Sequence, residues 1–372
     1  MGKNKSIIRP NVGVSDGIKS GHLFKYFRIS GSPDVKNENL YPIVYNNNYG
    51  ISFYRLERLH HFDAQKWTKI YHFLNTHFEE KGTPFTTVSP LREINTNELE
   101  LIHTKQFIQD IHYNSGTIAD ALEIYMIRVV PSFILRSALI TPFKWQTSGS
   151  VLSAYMALTY GWAVNLGGGL HHSSRQSAQG FCVFADISLI MQYLWQHLDD
   201  SLKFMIIDLD AHQGNGYETD LFLFPQRLRE KVYVLDVYNK YIYPRDGVAK
   251  GFINRGVELL PNTSDEEYLK LLNKNIVKAF QEFTPNLVIY NAGTDILSGD
   301  PLGGLNISRD GVLERDVIVF QMAKHNEIPI VMLTSGGYQL SNARIIADSI
   351  INLMDKQLIN SVVEREESYE KS

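Results

Sequence analysis

Six short apolar runs constrain this chain more than any other feature: "YPIVY" (41–45), "WAVNL" (162–166), "FMIIDLD" (204–210), "VYVLDVY" (232–238), "NLVIYNAG" (286–293) and "IPIVMLTSGG" (328–337). Each is rich in β-branched or aromatic residues and runs into Gly, Asp or Asn, the pattern of a buried strand closed by a turn. Several are separated by stretches with apolar residues at three-to-four spacing, over 186–200, 264–283, 308–325 and 341–356. In the second of these, Ser264 and Glu267 have the spacing of a capping box. Strands that are apolar throughout are covered on both faces, and joined by helices they form a mainly parallel sheet. The expected fold is therefore α/β, with three layers, α-β-α. In such sheets ligands bind in the crevice at the carboxyl ends of the strands.

The 372 residues suffice for one large domain or two modest ones. A hydrophobic share of 44% with 20% charged residues is ordinary globular composition. The net charge of -4 gives no sign of a general nucleic-acid binder. Cys182 is the single cysteine, so no internal disulfide forms and a reducing compartment is the natural reading. Cytoplasm is the default location, with the nucleus open for a eukaryotic host. No apolar run reaches transmembrane length, and the start, "MGKNKSIIRP", lacks the apolar core of a secretory signal. That start does match M-G-x-x-x-[ST], with Gly2 and Ser6 in place. One reading is an N-myristoyl anchor aided by Lys3 and Lys5; the other is a polar leader matching a short pattern by chance.

The chemistry-bearing residues gather after the strands. "NLGGGLHHSSRQSAQGFC" puts three glycines and then His171 and His172 behind the second run. "IIDLDAHQGNG" places Asp208, Asp210 and His212 at alternate positions behind the third, on one side of an extended chain. Asp with His suits a divalent metal of the zinc type. Asp295, in "VIYNAGTDILSGDPLGG", follows another strand and would complete three protein ligands with room for water, the form of a catalytic zinc site. "TSGGYQ" adds Tyr338 after two glycines. Each has an ordinary reading as a helix cap, turn residue or loop residue. Four such signals at strand ends of one α/β chain are less readily explained that way.

In this order and spacing, "GGGLHH", "DLDAHQGNG", "AGTDILSGDPLGG" and "SGGYQ" resemble the zinc-dependent histone deacetylases. "VYNKYIYPRD", "YNAGTDIL" and "ARIIADSI" look like the class IV branch of that family. The likeness runs from about Tyr41 to about Asp355. It implies the arginase–deacetylase fold, with an eight-stranded, mainly parallel sheet. It also implies one catalytic domain over 41–357, between a polar, loop-like leader (1–40) and a charged tail (358–372).

The resemblance further implies that Asp210, His212 and Asp295 hold Zn2+. His171 and His172 become the tandem histidines beside the attacking water, with Asp208 orienting His171. Asn215 stands where many relatives carry an aspartate behind the second histidine. A neutral amide stabilises an imidazolium less than a carboxylate does, so His172 is expected to stay neutral and act first as a base. Tyr338 would donate to the developing oxyanion. A structural K+ would take oxygens from Asp208, Asp210, His212, Asp236 and Val237, although the family usually has serine where Asp236 stands. Gly180, Phe181, Tyr243 and Leu302 would line a tunnel for the substrate; the ordinary reading of the last three is core.

The implied reaction is hydrolysis of N-ε-acyl-lysine in a protein or peptide, leaning to long fatty acyl groups on resemblance alone. His60 and His61 depart from the branch's pattern in "LHHFD", near a possible entrance. Rivals are an arginase-like dimanganese hydrolase, disfavoured by Gln213 and Asn215 where extra ligands would sit, an acylpolyamine deacetylase, and an inert scaffold.

Overall fold

The structure, a computed structural model, describes residues 27–29, 40–52, 63–83 and 85–361. The readings at Gly2, at His60 and His61, and over most of the charged tail lie outside the described residues. Among the described residues nine strands form one sheet: β1 (Phe27–Ile29), β2 (Leu40–Val44), β3 (Thr86–Pro90), β4 (Trp162–Asn165), β5 (Phe204–Asp208), β6 (Val232–Asn239), β7 (Arg255–Leu259), β8 (Leu287–Asn291) and β9 (Ile330–Leu333). Their order is β1-β3-β2-β4-β9-β8-β5-β6-β7. β2 to β9 pair in parallel; only β1 runs antiparallel, along the outer edge of β3. An eight-stranded parallel sheet is thus present, and β1 corrects the expectation of a wholly loop-like leader over 1–40.

All six expected strands form. The third ends at Asp208, two residues before the apolar run does, because the chain bends immediately after it. Three strands lacked a sequence signal. β7 exposes alternate residues at the sheet edge, β3 closes on a proline, and β1 has three residues.

The helices of nine residues or more are α1 (Lys66–Glu80), α2 (Lys105–Tyr113), α3 (Thr141–Tyr160), α4 (Asp186–His197), α5 (Asn215–Leu223), α6 (Asp265–Glu282), α7 (Arg309–His325) and α8 (Asn342–Asp355). One row packs α1 on α8, α8 on α7 and α7 on α6; another packs α3 on α4 and α4 on α5. With the sheet they make three layers. α3 shows why some helices escape a periodicity search: it is buried almost all round, so apolar and small residues occur at every phase. The Ser264–Glu267 capping box is corrected as well. Ser264 is the N-cap of α6 but makes no side-chain cap bond. The next residue, Asp265, instead accepts from the backbone and hydroxyl of Ser308, tying α6 to the start of α7.

Topology decides where the functional loops meet. β4 and β5 are consecutive in sequence but separated in the sheet by β9 and β8. The loops leaving β4, β9, β8 and β5 therefore open side by side at the carboxyl edge, where the direction of winding changes. Two buried charges brace this edge. The Arg315 guanidinium, from α7, donates to the carbonyls of Gly293, Ala292 and Leu209, just behind the strand-end loops, and pairs with Asp316 at 2.8 Å. Asp316 in turn accepts from Tyr290 and Ser349.

His103 braces the loop that follows β4. Its Nδ1 lies 3.3 Å from Arg175 O, and its Nε2 accepts the amide of Ala185 at 3.1 Å. These partners require the neutral tautomer with Nδ1 protonated. Burial pushes its pKa down to about 3, against the backbone bonds that favour the charged form. An unfolded histidine binds a proton near pH ~6.5. Between that pH and about 3 the unfolded state binds more protons, so stability falls as pH falls. The loss from this residue approaches ~1.4 kcal/mol per pH unit. Urea titrations of His103→Asn should show lower stability at pH 7 and a shallower decline on acidification than the parent. Parallel declines in the two proteins would contradict this account.

Candidate metal centre and catalytic pocket

After β4 the chain turns at Gly168 and Gly169, both with φ of +75°. The turn is held by Asp186, at the start of α4, whose carboxylate accepts the amides of Gly169 and Leu170 at 2.8 Å each and the Ser150 hydroxyl at 2.6 Å. A Cβ on Gly168 would lie 2.6 Å from that carboxylate. The turn delivers His171 and His172 to the carboxyl edge with ring centroids 4.0 Å apart.

The two rings have different partners. His171 Nδ1 lies 3.0 Å from Asp208 Oδ2. Asp208 is fixed by the Asn291 amide group at 2.9 Å and the Asp210 backbone at 3.2 Å. His172 Nδ1 lies 2.8 Å from Asn215 Oδ1, at the start of α5. Burial opposes charge on both rings. Around His171 the carboxylates of Asp210 and Asp208 overcome it and push the pKa up to about 9. Around His172 burial, reinforced by His171 and His212, holds the pKa well below the usual histidine range.

Asp210, His212 and Asp295 converge beyond the ends of β5 and β8. All three are buried, and one potential ligand atom from each lies within 4.8 Å of the others. His212 Nδ1 stands 3.1 Å from Asp210 Oδ1 and 2.8 Å from Asp295 Oδ2. The remaining carboxylate oxygens are anchored by the backbone: Asp210 Oδ2 accepts Gly336 N at 3.1 Å, and Asp295 Oδ1 accepts Ala211 N at 2.8 Å. Two carboxylates this close cannot both ionise freely. Burial and Asp210 raise Asp295 to about 7, while the neighbouring histidines outweigh burial at Asp210 and hold it well below the carboxylate range. The two carboxylates also outweigh burial at His212 and push it up to about 10. This cluster requires a positive charge at its centre, and a proton on His212 supplies one. A divalent cation satisfies the same donors by displacing that proton. The residues fit a metal.

A pocket opens above this cluster. It is lined by His171, His172, Asp210 and Tyr338, with Gly180 and Phe181. The Phe181 and Tyr338 rings meet edge to face at 5.9 Å. Gly180 (φ +56°) packs on His172, and a Cβ there would lie 2.5 Å from the ring. Tyr243 also contacts His172, ring to ring at 4.9 Å, but it is half exposed and outside the pocket lining. Leu302 is outside it too, its amide bonded to Asp300. The sequence reading places both at the tunnel; in the structure Tyr243 stands against His172 and Leu302 lies in the loop bonded to Asp300. Trp67, Phe143 and Leu170 line the pocket and were not foreseen. Trp67 and Phe143 lie in segments that carried no strand-end motif, and Leu170 sits unremarked between the glycines and His171.

Behind β5, Asp236 pairs in register with Asp208. Asp236 Oδ2 accepts Gly214 N at 3.0 Å, and its carboxyl shares a side-chain hydrogen bond with Glu218. Burial, with Asp208 and Glu218 adding to it, raises Asp236 well above the usual carboxylate range.

Close approach at Asp210 gives a test of the metal centre. A Cβ on Gly293 would fall 2.1 Å from Asp210 Oδ2. Gly293→Ala should displace the carboxylate and weaken affinity for a divalent metal by ~10–100-fold, the range for disturbing a ligand's support. Competition with a chromophoric chelator measures this, and parental affinity would contradict the placement.

Residues 60–354 match the family described as the histone deacetylase domain. "Histone deacetylase 2" of Arabidopsis thaliana is 45% identical over 321 residues, 86% of this chain and 80% of the relative. The acetoin utilization protein AcuC of Staphylococcus xylosus is 27% identical, over 68% of this chain and 67% of its own. Among solved structures, the HDA15 HD domain aligns with a TM-score of 0.65 at 18% identity, over 88% of this chain and 93% of that one. A histone deacetylase homolog from Aquifex aeolicus aligns with a TM-score of 0.62 at 22% identity, over 85% and 83%. These two structures carry the same arginase–deacetylase type of fold, and no helix among the described residues is long and apolar enough to cross a membrane. By the length of the matched domain and the identity to the Arabidopsis relative, the chain belongs to the histone deacetylase family.

Proposed function

We propose that this protein is a zinc-dependent amidohydrolase that removes acyl groups from N-ε-acyl-lysine in proteins. The observation that carries the reading is the convergence of Asp210, His212 and Asp295 beside two histidines of opposite electrostatic character. Asp210, His212 and Asp295 would hold the zinc. When bound, zinc supplies a Lewis acid that polarises the amide carbonyl and makes water acidic enough to attack at neutral pH.

The chain's own residues do the rest. His172, neutral and hydrogen-bonded through Nδ1 to Asn215, keeps Nε2 as a lone-pair acceptor for the water's proton. His171 is held on Asp208, whose carboxylate favours its charged form beside the reacting centre. A protonated histidine of the pair returns a proton to the departing lysine amine. Tyr338 is kept in its phenol form by burial and by Asp295 and Asp210, so its hydroxyl serves as a donor to the oxyanion. Products are free lysine and a carboxylic acid.

Class IV membership is part of the proposal and rests on the quoted "DLDAHQGNG", "YNAGTDIL" and "ARIIADSI" segments. The preference for a long acyl chain rests on that likeness; the apolar lining by Trp67, Phe143, Leu170 and Phe181 supports an apolar acyl group. A K+ held by Asp208, Asp210, His212, Asp236 and Val237 is part of the proposal and rests on the family likeness.

Zinc-loaded protein given equal acetyl-lysine and myristoyl-lysine peptides should release the fatty acyl group preferentially, read by product masses. Asp210→Ala should release neither and retain no zinc by elemental analysis. Preferential loss of acetyl would overturn the chain-length claim, and inertness toward both would overturn the lysine substrate. Tyr338→Phe should lower kcat by ~10²–10³, the usual cost of one oxyanion donor. An unchanged kcat would remove Tyr338 from the chemistry.

A further inference from the structure

We propose that Lys66 is a positioning residue, whose buried ammonium fixes the backbone of Ser335 and Gly336 and so sets where Tyr338 presents its hydroxyl. The inference rests on the reading of Tyr338 as the oxyanion donor. Lys66 is the first residue of α1 and only 1% exposed, among the largest fully buried side chains of the protein. Its Nζ donates to Ser335 O and, at 3.2 Å, to Gly336 O, across some 270 residues of sequence. A buried ammonium is retained only where it is paired and hydrogen-bonded. Here the carbonyls supply the bonds, and Asp295, Asp210, Asp63 and Asp300 supply the favourable field.

The segment it grips cannot hold itself. Ser335 and Gly337 both have positive φ, at 44° and 123°. For a residue with a side chain, as at Ser335, that conformation persists only when its surroundings impose it. The surroundings act from two sides. Asp210 Oδ2 takes the Gly336 amide at 3.1 Å, and Asp300 Oδ2 takes the Tyr338 amide at 2.9 Å. Lys66 takes the two carbonyls. The backbone leading to Tyr338 is thus clamped at its N–H groups by carboxylates and at its C=O groups by an ammonium, with Thr294 N and Oγ1 also donating to Gly336 O at 3.1 Å each. Removing the ammonium releases one jaw of the clamp and leaves the other, the amide bonds to Asp210 and Asp300.

Lys66→Met keeps the length of the side chain and removes its donors. In the metal-free protein, amide hydrogen exchange at Gly336 to Tyr338 should accelerate by at least ~10-fold, the change expected when a local structure loses a hydrogen-bonded anchor. In zinc-loaded protein kcat should fall by ~10²-fold, comparable to losing the oxyanion donor itself, with KM changed much less. In a Tyr338→Phe background the same substitution should cost almost nothing further, because the misplaced group is already gone. Additive losses, or parental exchange at these amides, would overturn the proposal. Lys66→Gln retains a neutral donor at shorter reach and should fall between; it decides the matter if the Met variant does not fold, and parental exchange in it counts against the clamp. If Tyr338→Phe alone leaves kcat unchanged, the reading of Tyr338 fails, while the exchange experiment still decides whether Lys66 holds the loop.

Discussion

Two carboxylates, Asp210 and Asp295, are carried out of water at the ends of adjacent parallel strands and aimed at the same histidine nitrogen. Like charges buried together are among the least favourable arrangements a fold can contain unless a cation joins them. The surrounding structure is organised around that requirement. Positive groups approach from several directions: His171 and His212 from within the cluster and Lys66 from α1. Arg315 takes no part in the pocket. It gathers the carbonyls of Leu209, Ala292 and Gly293, the residues just before the acids and their loop, and so fixes the directions in which β5 and β8 release their chains. A metal at the centre completes a charge arrangement the fold has already prepared.

The sheet order explains why these acids meet at all. β5 and β8 are neighbours with Asp208 opposite Asn291, which sets the following loops in register. β9 lies beside β8 and β4 beside β9, so the Tyr338 loop and the tandem-histidine loop flank the acids on the same edge. Small residues at the crossings allow the approach: side chains at Gly293 or Gly336 would overlap the Asp210 carboxylate. A site assembled from four strand ends is rigid because each end is anchored in the sheet, and such support holds catalytic groups in place more firmly than mobile loops do.

Much of this was legible in the sequence, for reasons specific to the residues. Strands apolar on both faces leave uninterrupted runs, and the glycines, acids and histidines stand directly after them. The three candidate ligands, the tandem histidines and Tyr338 were therefore visible as interruptions of a simple pattern, whereas the place of Asn215 came from the resemblance alone. Lys66, Asp186, Asp300 and Arg315 were not. A buried charge and a solvated one look alike in a sequence, and the partners of Lys66 are about 270 residues away. α3 escaped because burial all round erases amphipathic periodicity. The Ser264–Glu267 spacing misled because the acid that matters there is Asp265, engaged by Ser308 from another helix. Tyr243 and Leu302 were named by likeness alone, since no periodicity marks the loops that carry them.

The tandem histidines show how a small difference in one partner divides labour between identical side chains. Two imidazolium rings at 4.0 Å repel, so charge on one disfavours charge on the other. The tie is broken by what stands behind each ring. Asp208 is a carboxylate and favours the charged form of His171; Asn215 is an amide and offers His172 a hydrogen bond without charge. Both partners orient their ring through Nδ1 and leave Nε2 for the reaction side, so geometry is matched while proton affinity is not. Groups whose environments push their proton affinities apart are the groups that serve as acid and base at one pH. An aspartate in place of Asn215 would narrow that difference. The neutral amide preserves it, keeping His172 the readier acceptor beside a ring that already holds its proton.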